Sequence, residues 1–289
     1  MKINYYICIE DENLSINSIL KNKFQISTKL LTKLIKLKKI YINNISVDTR
    51  IKAKSNDLLT IDFNYAEDNS SIVPTKMDLN IIYEDEWFLV LNKPAGIAIH
   101  PSRMHFSDSL SNGVKNYFDL INLSKKVRPI NRLDLDTSGL VVFAKCEYVQ
   151  ECCIKQMQEN NFKKTYICLV NGFLTPLNGK IDLPIARKEN SIIERCINSN
   201  GKKSITYYKT LQKFNNYSLV ECTLETGRTH QIRVHMSAIG HSLLGDTLYG
   251  NSSNIINRQA LHSYKISFIH PVTFKKIELI APIPNDFML

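Results

Sequence analysis

Apolar residues recur at helical intervals in two stretches near the amino terminus. Between Asp11 and Phe24 they fall at Ile16, Ile19, Leu20 and Phe24; from about Ser27 to Lys39, Leu30, Leu31, Leu34 and Ile35 share one side. The spacing predicts two amphipathic helices. A short β segment at Tyr41 and Ile42, an Asn43-Asn44 turn, more β at Ile45 to Val47 and a strand from Leu58 to Phe63 follow. The stretch from Ala66 to Asp78 is polar, contains Pro74 and has no periodicity, so it reads as a linker. Strand-like runs then dominate, at Ile81–Tyr83, Trp87–Leu91, Leu140–Phe143, Thr165–Val170, Ser204–Leu211 and Ser218–Glu225. Helical patterns appear near Leu110–Leu120 and Glu147–Asn160. No strict alternation of strand and helix is visible, which predicts an α+β fold with a mixed, mainly antiparallel sheet rather than a doubly wound one. The organisation expected is a small α/β domain over residues 1–65, a linker over 66–78 and a larger domain over 79–289.

Composition adds a charge argument. The chain has 289 residues and a formal net charge of +10. Residues 1–65 hold eleven Lys/Arg and six Asp/Glu, so 11 − 6 = +5 falls in less than a quarter of the length. Such a surface attracts phosphate backbones, anionic membranes and acidic proteins alike. Lys29, Lys33 and Lys36 follow the i, i+4, i+7 rule and form a basic stripe on the second helix. No run approaches the ~18 apolar residues a membrane span needs. The start, MKINYYICIEDEN, turns acidic where a signal peptide would be apolar, so a cytoplasmic protein is expected. Seven cysteines without a CxxC pair read as buried, reduced thiols. His230 and His235 are five apart, the wrong offset for two ligands on one helix face, and no metal is inferred.

The chemistry-bearing segment is Arg128-Pro-Ile-Asn-Arg-Leu-Asp-Leu-Asp-Thr-Ser-Gly-Leu-Val-Val-Phe-Ala-Lys145. It puts Asp134 and Asp136 in a loop ahead of a β run, with Arg132 two residues from Asp134. Taken alone, Asp-Thr-Ser-Gly is ordinary turn chemistry. Two further segments change that reading. Glu225-Thr-Gly-Arg-Thr-His-Gln-Ile-Arg-Val-His-Met-Ser-Ala-Ile-Gly240 predicts a helix capped by Thr229 and ended by Gly240, with Arg228 and Arg233 near its start. Lys163-Lys-Thr-Tyr-Ile-Cys-Leu-Val-Asn-Gly172 predicts a strand with Tyr166, Cys168 and Val170 on one face.

Together these motifs resemble the signature of the RluA/RluC/RluD family of pseudouridine synthases. NRLDLDTSGLVVFAK is similar to the family's H-R-L-D-x-x-T-S-G-x-x-x-x-A-K, with Asn131 in place of its His. Glu225–Asp246 matches its G-R-[TS]-H-Q-[IL]-R-V-H block and the G-H-x-[IL]-[LI]-G-D that follows. Ile81–Pro101 and Leu261–Thr273 also fit, so the resemblance runs from about Leu79 to the carboxyl terminus. The amino-terminal region resembles the small S-four (α-L) RNA-binding domain, with Lys38-Lys39-Ile40-Tyr41-Ile42-Asn43-Asn44 standing where Gly-x-Val-x-Val-Asn-Gly is usual.

The resemblance implies that Asp134 is the catalytic aspartate, that Tyr166 stacks on the base and that Arg233 pairs with Asp134. It implies no cofactor, and neither a P-loop nor G-x-G-x-x-G after a strand is present. The reaction breaks the bond from ribose carbon 1′ to uracil nitrogen 1 and makes one to carbon 5. A carboxylate supplies a covalent route at carbon 1′ or at uracil carbon 6, and a phenol at Tyr166 is a candidate for removing the carbon 5 proton. Arg132, Arg228, Lys93 and Arg103 are expected phosphate contacts beside the lysine stripe. The substrate expected is structured RNA, with large-subunit ribosomal RNA favoured over transfer RNA, and the protein is expected to be a monomer. An aspartic protease would need a second Asp-Thr-Gly or Asp-Ser-Gly, which does not occur. A non-catalytic RNA-binding or ribosome-assembly protein on the same fold is the remaining rival.

Overall fold

The computed structural model describes residues 1–287. The first segment comprises β1 (Lys2–Tyr6), α1 (Ile16–Asn22), α2 (Thr28–Lys36), β2 (Ile40–Ile42), β3 (Ile45–Ser46) and β4 (Leu58–Asp62). Its strands form one sheet in the order β1-β4-β2-β3. Both helices are shorter than their apolar periodicity suggests, and local chemistry explains the trimming. Ser15 Oγ accepts from Ser18 N–H and starts α1 at Ile16, while Ser27 Oγ accepts from Leu30 N–H and starts α2. Lys38 adopts a positive φ of 53° just past α2 and turns the chain into β2.

The remainder contains β5 (Ile81–Glu84), β6 (Phe88–Lys93), α3 (Leu110–Leu120), β7 (Arg128–Pro129), β8 (Ser138–Ala144), α4 (Glu147–Gln158) and β9 (Lys163–Asn171). It continues with β10 (Asn178–Asp182), β11 (Ile185–Arg187), β12 (Arg195–Ile197), β13 (Ile205–Lys213), β14 (Tyr217–Leu224), α5 (Gln231–Ala238), β15 (Leu261–Ile269) and β16 (Lys276–Ile280). Ten strands make one sheet, with the path β10-β13-β14-β9-β15-β8-β6-β5, β16 beside β15 and β7 beside β8. Strands β11 and β12 stand apart as a two-stranded ribbon.

Every pairing in the large sheet is antiparallel except β15 with β8. That parallel contact brings Gly139 against Ser263 so closely that a Cβ on Gly139 would lie 2.3 Å from the Ser263 carbonyl oxygen, and its φ is +108°. Only glycine fits there. All seven residues of β8 are buried, because it lies between two strands and under packed side chains on both faces.

The two sheets share a core. Leu30, Leu34 and Phe63 of the amino-terminal segment fall in the same apolar cluster as Trp87, Tyr148 and Phe268. The Phe63 ring stacks on Tyr148 with centroids 5.2 Å apart and meets Trp87 edge-on at 5.9 Å. Polar groups close the junction. Glu67, at the start of the 66–78 stretch, takes two hydrogen bonds of 2.7 Å from the Arg128 guanidinium and one of 3.2 Å from Lys33 Nζ. Lys33 also donates to Glu147 at 2.8 Å and sits 4.5 Å over the Tyr65 ring. The expectation that Lys33 contacts RNA phosphate is therefore corrected: its charge is spent on two carboxylates between the sheets, and burial is outweighed by those partners in raising its pKa. Lys29 and Lys36 are exposed on α2.

Candidate active site

The loop between β7 and β8 carries Asp134, and its backbone is held from three sides. Asn131 is buried, donates through Nδ2 to the Leu140 carbonyl and accepts Val142 N–H on Oδ1, both at 2.9 Å. It thus folds the loop back on β8. Lys93 Nζ donates at 2.8 Å to each of the Pro94, Ile97 and Leu135 carbonyls. Arg258 Nη1 donates to the Asp136 carbonyl at 3.0 Å, and Thr137 N–H closes a turn onto the Asp134 carbonyl at 3.1 Å. The Lys93 expectation is corrected as well. The residue is wholly buried, its three donors are consumed by carbonyls, and no phosphate can reach it. Burial pushes its pKa down to about 7 against the pull of Asp136.

The Asp134 carboxylate is about a quarter exposed and meets two side chains from the other end of the chain. Arg233 Nη1 lies 3.1 Å from Asp134 Oδ2, and His230 Nε2 lies 3.7 Å from the same oxygen. Arg233 is itself clamped by a carboxylate no solvent reaches: Asp246 Oδ2 accepts from Nε at 2.7 Å and Oδ1 from Nη2 at 2.9 Å. Burial opposes the guanidinium charge, but Asp246 and Asp134 together raise the Arg233 pKa. Asp246 also accepts Leu248 N–H and Tyr249 N–H, and the Tyr249 ring lies 5.1 Å from the Arg233 guanidinium carbon. Gly245, with a φ of +68°, lets this loop approach the Arg258 carbonyl so closely that a Cβ would lie 2.3 Å from its oxygen.

Helix α5 starts differently from the expectation. His230, not Thr229, is the residue before its first turn, with φ 57° and ψ 20°, and its side chain makes no capping bond. The Gln231 side chain instead organises the entry, accepting from Arg228 N–H and the Thr226 hydroxyl and donating to Ile205 O. The imidazole of His230 is thereby freed to face Asp134. Burial lowers its pKa, against the pull of the Asp134 charge.

Tyr166 on β9 is 6% exposed and shares with Asp134, Leu224, His230 and Ile232 a recess of about 60 Å³. Burial first, then the Asp134 charge, push the Tyr166 phenol pKa well up. The recess belongs to a cleft of about 610 Å³ whose lining includes Asn131, Arg132, Lys164, Arg195 and Arg228. A cavity of about 510 Å³ adjoins it under the β11–β12 ribbon, where Arg132, Arg187, Arg195, Lys202 and Arg228 supply five cations and no lining residue is acidic. None of these five forms a salt bridge among the described residues.

The structure therefore brings Asp134, Tyr166 and Arg233 together with Arg132 and Arg228 at the rim. Arg103 is exposed on the loop before α3, outside the residues that line the cleft. His230, Asp246 and Tyr249 were missed by sequence reasoning. The one signal available for Asp246 was its place directly after a glycine at the end of a recognised motif, and Tyr249 carried none.

Several known proteins are similar. Residues 87–238 match the family model described as RNA pseudouridylate synthase. A Bacillus subtilis (strain 168) protein named Uncharacterized RNA pseudouridine synthase YhcT is 37% identical over 271 residues, which is 93% of this chain and 89% of that protein. Ribosomal large subunit pseudouridine synthase D of Neisseria meningitidis serogroup B is 35% identical over 273 residues, covering 90% of this chain and 73% of its own. Among solved structures, Human RNA Pseudouridylate Synthase Domain Containing 1 superposes with a TM-score of 0.59 at 27% identity, over 71% of this chain and 83% of that one.

Proposed function

Because this chain belongs to the RNA pseudouridylate synthase family, we propose that it modifies specific uridines of large-subunit ribosomal RNA, with Asp134 as its nucleophile. The chain is an RNA pseudouridine synthase. One observation carries the nucleophile: Asp134 is a partly exposed carboxylate, held by Arg233, in the recess it shares with Tyr166. A carboxylate in that position can attack ribose carbon 1′ or uracil carbon 6 once the uridine is flipped from its stack. The Arg233 guanidinium fixes the direction of attack without itself exchanging a proton, because Asp246 and Asp134 keep it charged.

Tyr166 supplies a ring face to the detached base. While Asp134 is ionised the phenol stays protonated, so it is not a resting base for the carbon 5 proton. Ester formation would remove the Asp134 charge, and with it one of the two causes of that rise. Ribosomal RNA is supported by a relative named Ribosomal large subunit pseudouridine synthase D, whose alignment covers 90% of this chain. The five cations beside the recess, none in a salt bridge among the described residues, suit the phosphates flanking the target.

The test is tritium release from RNA labelled at uracil carbon 5, with large-subunit ribosomal RNA and bulk transfer RNA assayed separately. Asp134→Asn should abolish release while leaving circular dichroism and RNA affinity in place. Equal turnover by the variant would remove Asp134 as nucleophile, and release from transfer RNA alone would overturn the substrate.

A further inference from the structure

We propose that Tyr249 and His230 are positioning residues that lock one imidazole tautomer and turn its Nε2–H onto the Asp134 carboxylate. This rests on Asp134 being the reacting group. The hydrogen bonds around Tyr249 leave little choice. Its hydroxyl accepts the Arg195 backbone N–H at 2.8 Å, so its single proton is free for a second partner. That partner is His230 Nδ1, also at 2.8 Å. An Nδ1 that accepts from the phenol cannot carry a proton, so in a neutral imidazole the proton is on Nε2. Nε2 is the nitrogen that faces Asp134 Oδ2, at 3.7 Å. The opposite tautomer would aim a nitrogen lone pair at a carboxylate, which is repulsive.

Other features agree. His230 is held in the left-handed backbone region, where a residue with a side chain is strained, and that conformation points the imidazole into the recess instead of toward the helix end. The imidazole meets Asp134 at Nε2 and Tyr249 at Nδ1, while the charges of Arg233, Arg195 and Asp246 also act on it. Burial, aided by the charges of Arg233 and Arg195, lowers the imidazole pKa against the pull of Asp134 and Asp246 and so favours the neutral form. A neutral donor at Nε2 gives Asp134 a second contact beside Arg233 without a second full positive charge. It narrows the carboxylate's orientation and leaves it nucleophilic. At 3.7 Å the contact is open, with room to shorten when substrate closes the recess. The Tyr249 hydroxyl also joins this pair to the backbone of β12, through Arg195 N–H.

Two measurements test the proposal. Nitrogen-15 spectra of histidine-labelled protein should show His230 with a pyridine-type Nδ1 and a pyrrole-type Nε2 at neutral pH, and Tyr249→Phe should mix the two tautomers. A pyrrole-type Nδ1 in the unmodified protein would overturn the assignment whatever the kinetics. In single-turnover assays at saturating RNA, His230→Ala should slow the chemical step by about 10²-fold with RNA affinity unchanged, and Tyr249→Phe by about tenfold. His230→Gln, which can place an amide N–H near the Nε2 position, should recover much of the loss. A rate for His230→Ala within about twofold of the parent, or equal losses in Ala and Gln variants, would refute the positioning role. Thermal melts of each variant separate misfolding from loss of chemistry. If the parent protein released no tritium, the proposed reaction would fail, while the spectra would still report on the tautomer.

Discussion

Arg233 serves two carboxylates with different tasks. Asp246 is sealed from solvent and holds Nε and Nη2, whereas Asp134 is open to the cleft and takes Nη1. Replacing Asp246 by Asn preserves shape but removes the buried negative charge that fixes the guanidinium. Arg233 should then move toward Asp134, blocking its attack on substrate. We expect Asp246→Asn to lose about 10²-fold in single-turnover rate, and about 3 kcal/mol of stability because a buried charge is left without its partner. A urea titration and a rate measured on the folded protein check the two effects, and a parent-like rate would show that Asp246 is only structural. At this scale legibility divides by environment. Asp134, Tyr166 and Arg233 stood out through ordered motifs with fixed spacing. Lys93 and Lys33 were misread because a lysine code is the same on a surface and in a cage of carbonyls or carboxylates. Asn131 departs from the family's His, yet its two amide bonds to β8 show a backbone-stapling task that an amide performs well.

Among the elements, the β11–β12 ribbon was invisible beforehand. Each of its strands has three residues, too few for a period, and its arginines look like ordinary surface charge in the sequence. Strand β8 was found, though its alternation is absent, since a continuous apolar run bounded by Gly139 and Lys145 marks a strand buried on both faces. The ribbon is tied to the 198–203 loop by paired backbone bonds between Ile185 and Lys202, which fix the backbone that carries Arg187 and Lys202. Arg187 and Lys202 lie beyond the catalytic recess but line the adjoining cavity. Arg187→Ala and Lys202→Ala should each weaken RNA binding and reduce the magnitude of the slope of log K against log salt by about 0.7 to 0.9, leaving the saturated chemical rate unchanged. Affinity titrations from low to physiological salt supply the slope. An unaltered slope in both variants would place the RNA backbone elsewhere, and the exposed Lys29 and Lys36 on α2 would be the next positions to test.

For the whole molecule, the polar stretch after residue 65 reads as a linker, and the sheets on either side of it pack on one apolar cluster. Phe63 is buried between Trp87 and Tyr148, and Glu67 is enclosed by Arg128 and Lys33. Composition cannot reveal this, because a polar segment that ends in a buried ion pair has the same residues as one that is solvated. The arrangement makes the junction sensitive to acid. Burial pushes the Glu67 carboxyl up, but hydrogen bonds and charge from Arg128, then Lys33, bring it down to about 2. A carboxyl whose folded pKa lies below its unfolded value of about 4.3 stabilises the fold fully above that unfolded value and loses the contribution as pH falls toward the folded one. The pair should therefore surrender on the order of 3 kcal/mol between about pH 4.5 and 2. Asp85, also held near 2 by His270 and Tyr83 against burial, titrates over the same range. The Glu67 share is isolated by comparison: Glu67→Gln should be less stable than the parent at pH 7 by about 2 to 4 kcal/mol and should show a flatter fall in urea midpoint below pH 4.5. If both proteins lose stability along the same acid slope, Glu67 does not carry the linkage, and the stacked rings around Phe63 hold the two sheets together without it.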